Sequence, residues 1–149
     1  EPGFKYNMTD IAASMGIHQL KKAMAFREKR ACIAKEYSEA FKDLPVILPA
    51  DAPQGETHAW HLYVLRIKDE APVTRDQFIE RMAQKGIGTS VHFIPLHIHP
   101  YWRDKYGLKE SDFPKTTSAF KRAVSLPIYT KMNKDDVDRV IRTVREILA

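Results

Sequence analysis

The chain has 149 residues and a net charge of +5, from 24 Lys and Arg against 19 Asp and Glu. Hydrophobic residues make up 44% and charged residues 29%, with 9 prolines and 6 glycines, a balance that excludes a disordered, collagen-like or low-complexity chain and points to one folded domain. Basic and acidic residues interleave, as in Lys134-Asp135-Asp136, so the excess charge permits an anionic ligand without indicating nucleic acid.

Thr9 and Asp10 are good helix-capping types, and no proline follows until Pro45. Ile11, Met15, Ile17, Leu20, Met24, Ile33, Tyr37 and Phe41 recur at three- and four-residue spacing, which predicts a helix over 10–42, with a break expected near Gly16. At 1.5 Å per residue it is roughly 50 Å long, more than a compact domain of this size is wide, so it is expected to pack against something outside the chain. Residues 44–57 hold Pro45, Pro49, Pro53 and Gly55 and read as a loop with a short extended piece at 46–48.

The run from Ala59 to Ile67 is rich in aromatic and β-branched residues and reads as a strand. Thr74 caps a short amphipathic helix over 75–83 with Phe78, Ile79 and Met82 inward, ended by Gly86. A second strand is expected over 87–93, then an aromatic loop with Tyr101, Trp102 and Tyr106, a helix over 115–122, a short strand over 124–127, and a last helix capped by Asn133. The expected fold class is α/β: a short, mostly antiparallel sheet with helices on one face and a long leading helix. Residues 1–8 form an opening segment, 9–43 the long helix and 44–149 the α/β layer.

One cysteine, Cys32, cannot form an internal disulfide and fits a reducing, cytoplasmic setting. No apolar stretch approaches the roughly 20 residues of a membrane span, and Glu1-Pro2-Gly3-Phe4 has no signal-peptide character. The missing initiator methionine raises the expectation of a fragment. There is no P-loop, G-x-G-x-x-G, EF-hand loop or G-x-S-x-G elbow.

His92, His97 and His99 fall within eight residues, with His58 and His61 upstream. In an extended segment His97 and His99 share a face, but no cysteine or acidic pair completes a zinc set, so no metal is expected. His61 reads as a hydrogen-bonded core or interface histidine. His92 and His97 stand just after an expected strand, where imidazoles can bond a hydroxylated or phosphorylated ligand; ordinary surface histidines are the alternative. Lys5 and Asn7, just ahead of a helix start, can reach a phosphate, and an ordinary capped helix start explains them equally.

Five ordered motifs carry a resemblance that spans the chain. They are Gly3-Phe4-Lys5-Tyr6-Asn7-Met8-Thr9-Asp10-Ile11-Ala12-Ala13, His58-Ala59-Trp60-His61-Leu62-Tyr63, the run from Gly86 through His92 to His97, Ser125-Leu126-Pro127-Ile128-Tyr129, and Asp136-Val137-Asp138-Arg139-Val140-Ile141. Together they resemble the C-terminal third of the DegT/DnrJ/StrS-type sugar aminotransferases, and most the branch that makes UDP-4-amino-4-deoxy-arabinose. The resemblance implies the small C-terminal domain of the aspartate-aminotransferase (fold type I) architecture, in a homodimer that moves an amino group from glutamate to a keto-sugar nucleotide with pyridoxal phosphate. It implies that Lys5 and Asn7 reach the cofactor phosphate of the second subunit. His92 is then expected to face the sugar nucleotide, with Phe93, His97 and Tyr101 as neighbours. It also implies that the Schiff-base lysine lies in an upstream large domain, so that these residues alone carry no catalytic group and are inactive. The other reading is a catalytically silent sugar-nucleotide-binding or regulatory module.

Overall fold

The computed structural model describes residues 6–149. Lys5, a candidate phosphate contact, lies outside the described residues. The elements run α1 (Asp10–Phe41), β1 (Val46–Ile47), β2 (Tyr63–Ile67), α2 (Arg75–Gln84), a 3-10 turn (Leu96–Ile98), α3 (Pro100–Tyr106), a second 3-10 turn (Glu110–Asp112), α4 (Pro114–Arg122), β3 (Ala123–Leu126) and α5 (Lys134–Leu148).

The helix starts follow from local chemistry. Thr9 accepts from the Ala12 amide to cap α1, and Thr74 with Gln77 and Asn133 with Asp136 form reciprocal capping boxes on α2 and α5. After α2 the chain turns at Gly86, where φ is +71° and a Cβ would stand 2.9 Å from Arg139 Nη2. The left-handed backbone favours glycine, whereas the arginine tip is flexible and can shift.

The sheet has the order β1-β2-β3 and is antiparallel throughout. Tyr63 faces Leu126 and Leu65 faces Val124 across one ladder, while Val46 faces Ile67 across the other. These six side chains are buried on one face, in a core shared with Tyr37 and Phe41 of α1, Phe78 and Met82 of α2, and Val140, Val144 and Ile147 of α5. Tyr37 is stacked on Phe41 and meets Tyr63 edge to face, with ring centroids 5.6 and 5.1 Å apart. Its O–H donates to the Pro127 carbonyl at 3.0 Å, and burial pushes that hydroxyl well above the ordinary tyrosine range. Across the α1–α5 seam Arg145 clasps Asp43 through both carboxylate oxygens at 2.8 Å, which holds the Asp43 carboxyl down at about 2.

Four expectations need correction. No break interrupts α1 at Gly16, because that residue is exposed and its position leaves open space. β2 begins at Tyr63 rather than Ala59: Trp60 has φ +48°, its N–H goes to His58 Nδ1 at 2.8 Å, and its ring is stacked on His58 at 4.1 Å. This local turn takes the backbone donor that a ladder requires. Segment 87–93 is not a strand, and its backbone pairs with β3 only at the isolated Ser90–Ser125 bridge among the described residues, because Gly86 turns the chain ahead of it and Pro95 follows without an amide donor. The third strand of the sheet is instead the short piece at Val46–Ile47. The aromatic loop folds into a 3-10 turn and α3, which has Pro100 in its first turn and Gly107 at φ +62° as its left-handed cap.

The long helix divides in two. Its buried residues are Ile33, Ala34, Tyr37 and Phe41, all in the last third. Ahead of them Ile11, Met15, Ile17, Leu20 and Met24 are between 58% and 77% exposed.

Candidate functional site

Strand alternation assigns side chains to the two faces of the sheet. The residues between the core positions, Val64, Arg66, Ala123 and Ser125, share the outer face, since Val64 pairs with Ser125 and Arg66 with Ala123. Ile47 joins them through its pairing with Arg66.

Ser125 is the polar exception on β3, only 3% exposed. Its hydroxyl lies 3.1 Å from His92 Nδ1, and the Ser90 hydroxyl lies 3.5 Å from the same nitrogen. Two backbone bonds, Ser90 N–H to Ser125 O at 3.2 Å and Ser125 N–H to Ser90 O at 2.7 Å, fix the segment to the strand. The imidazole is thus tethered at one nitrogen, and Nε2 makes no hydrogen bond among the described residues. Phe93 meets the His92 ring edge to face at 5.0 Å and is 80% exposed.

His97 occupies a different place. It is 5% exposed, stacked on Phe113 at 4.7 Å, with Nε2 2.9 Å from Thr117 Oγ1. Thr117 in turn donates to the Glu110 carbonyl at 3.3 Å. A hydroxyl has one proton, so satisfying both bonds makes His97 Nε2 the donor to Thr117. His97 therefore pins the segment carrying Phe93 and Tyr101 onto α4 from behind. Tyr101 is 62% exposed; its hydroxyl accepts from Lys105 Nζ at 3.0 Å and its ring meets Trp102 edge to face at 5.1 Å. With Ile94, Leu96 and Tyr106 also exposed, this segment presents an aromatic and apolar rim.

The structure thus gathers His92 and Phe93 on the serine pair and links Tyr101 to them through the His97 anchor. Asn7 is exposed and lies just ahead of α1, whose first residue, Asp10, stands roughly 35 Å along the helix axis from its first buried residue, Ile33. His97 and His99 do not share a face: the 3-10 turn buries the first and exposes the second. Among the described residues no three His, Cys, Asp or Glu side chains gather as a metal-holding group. His61 does not lie in the core: it is exposed just ahead of β2 because the turn at Trp60 displaces it from the strand. No helix of the described residues is long and apolar enough to cross a membrane.

No motif or spacing in the sequence singles out Ser90, Ser125, Thr117 or Arg66 as site residues. Ser125 had one signal, a lone polar side chain in an apolar strand, but its outward direction follows only from the register.

Residues 1–145 match the model of the DegT/DnrJ/EryC1/StrS aminotransferase family. The chain is 49% identical, over its whole length, to an uncharacterised protein of Methanocaldococcus jannaschii, and covers 39% of it. Over 99% of its length it is 46% identical to SpsC, a spore coat polysaccharide biosynthesis protein of Bacillus subtilis, and covers 38% of that protein. The chain therefore spans about two fifths of the curated relatives it matches. Among solved structures, Spr1654 of Streptococcus pneumoniae, assigned as a sugar aminotransferase, superposes in its PMP form with a TM-score of 0.88 and 28% identity, over 99% of this chain and 37% of its own. The same protein is also known in a PLP form, with a TM-score of 0.85 and 28% identity over 100% of this chain and 39% of its own.

Proposed function

This chain belongs to the DegT/DnrJ/EryC1/StrS aminotransferase family, whose cofactor is pyridoxal phosphate, and we propose that it is the closing C-terminal part of a homodimeric, cytoplasmic sugar aminotransferase. In this reading the enzyme transfers an amino group from glutamate to a keto-sugar nucleotide. The observation that carries it is the exposed imidazole of His92, tethered at Nδ1 by Ser125 and open at Nε2. That arrangement suits hydrogen bonding to a sugar hydroxyl or carbonyl.

Each residue of this chain has a stated task. His92 binds and orients the sugar through Nε2. Phe93 and Tyr101 cover the apolar faces of the ring and exclude water, and His97 holds their segment in place from within the fold. Asn7 is exposed just ahead of the start of α1, where a side-chain amide and the helix end suit a phosphate, so Asn7 with Lys5 would hold the cofactor phosphate across the dimer interface. When bound, pyridoxal phosphate supplies the electron sink that amino transfer requires. The lysine that moves the proton is assigned to the upstream part of the enzyme, so these 149 residues alone are expected to be inactive.

The test is a visible absorbance spectrum of the full gene product with pyridoxal phosphate, before and after glutamate. A visible band that shifts on adding glutamate is the expected result, and the absence of any band overturns the reading.

A further inference from the structure

The outer face of the sheet carries more than His92. Arg66 lies two residues along β2 from Val64, and Val64 is paired with Ser125, the residue that tethers His92. With about 3.4 Å per residue along a strand and about 4.8 Å between strands, the Arg66 and Ser125 backbones stand roughly 8 Å apart on one face. Two cavities, of about 610 and 450 Å³, open on that face and share Arg66 and Ala119 in their walls. Their floor includes Ile47, Val64 and Ala123, and no carboxylate lines either of them.

Part of the surface charge is neutralised by ion pairs. Lys121 is paired with Glu110, Lys85 with Glu146, Arg145 with Asp43 and Arg122 with Asp69. Arg66 and Lys115, which line the smaller cavity, have no carboxylate partner among the described residues. Two unneutralised cations over an apolar floor form a site for an anion, and a guanidinium fork matches phosphate oxygens in pairs.

We propose that Arg66, with Lys115 beside it, binds the diphosphate of the sugar nucleotide, while the sugar reaches His92 across the outer face. The proposal rests on the sugar-nucleotide reading of the function and adds to it the residues that recognise the charged end of the substrate. The separation of Arg66 from the His92 tether leaves room for one sugar ring between the two side chains. The pleat places both groups on the same side, so one ligand lying along the sheet meets them together.

The test uses the full gene product and titration calorimetry with UDP and dTDP as probes, beside far-UV circular dichroism and the cofactor spectrum. Arg66→Gln is expected to weaken diphosphate binding by about tenfold or more, Arg66→Lys to recover part of it, and Lys115→Gln to cost less. All three are expected to keep the native circular dichroism spectrum and to take up pyridoxal phosphate as the wild type does. Diphosphate binding that is unchanged in folded Arg66→Gln overturns the proposal. So does a wild-type enzyme that responds to glutamate yet binds neither UDP nor dTDP, in which case the aminotransferase reading survives alone. Diphosphate binding that depends on Arg66 in a protein with no cofactor band leaves the anion site standing and overturns the aminotransferase reading instead.

Discussion

The inner face of the sheet turns Tyr63, Leu65, Val124 and Leu126 toward α1, α2 and α5, whereas the outer face turns Val64 and Arg66 toward open cavities and Ser125 toward His92. The same strands supply both faces, so adjacent residues have opposite tasks. α1 repeats the division along its length: Tyr37 and Phe41 are fully buried, while Leu20 and Met24 are 77% and 63% exposed. Burial and exposure are thus separated by one residue in the strands and by a few helical turns in α1.

That contrast breaks most sharply at the core. Phe78→Ala removes a fully buried ring and is expected to cost about 3–5 kcal/mol by chemical denaturation, whereas Leu20→Ala in the 149-residue chain is expected to stay within about 0.5 kcal/mol. A comparable loss at both positions would show that the exposed half of α1 is packed in solution.

A smaller effect sharpens the comparison between the two histidines. In the full gene product His92→Ala should lower kcat/KM for the keto-sugar nucleotide by the equivalent of about 1–3 kcal/mol with little change in melting temperature. Thr117→Val should do the reverse, costing about 1–3 kcal/mol of stability because it strands the buried His97 nitrogen. If Thr117→Val is neutral in stability, His97 is not an anchor.

The smallest effects are pH limbs of opposite sign. Burial raises the Tyr37 hydroxyl above its ordinary 10.0, so its contribution is complete below about pH 10 and is lost as pH rises beyond it. Tyr37→Phe should flatten that alkaline limb in a denaturation series, at a cost of about 0.5–1.5 kcal/mol near neutrality for the lost bond to Pro127. Asp43 is held down from 3.8 to about 2 by Arg145, so its contribution is complete above about pH 4 and is lost as pH falls toward 2. Asp43→Asn should remove that acidic limb alone.

Much of the fold was legible because its signals are local. The caps Thr9, Thr74 and Asn133 act within four residues of themselves, and the helical spacing of Val137, Val140, Val144 and Ile147 appears directly as the buried stripe of α5. The errors fell where local patterns compete with tertiary ones. Ala59 to Leu62 has the composition of a strand, yet the His58 ring captures the Trp60 amide and turns the chain. Ile87 to Phe93 likewise looks extended, but only Ser90 forms a backbone pair with β3.

The site was legible in part. His92, Phe93 and Tyr101 stand exposed on one segment, while His97 is buried behind it, a distinction that no spacing of histidines can express. By itself the sequence determined the helices, their caps, the apolar stripes and the family, because each depends on residues close in the chain or on motifs in fixed order. Only the tertiary structure decided that Ser125 holds His92, that Thr117 holds His97, and that Arg66 shares a face with both His92 and open cavities. Those relations join residues 20 to 33 positions apart, and strand register and the α4 packing, not local propensity, bring them within reach.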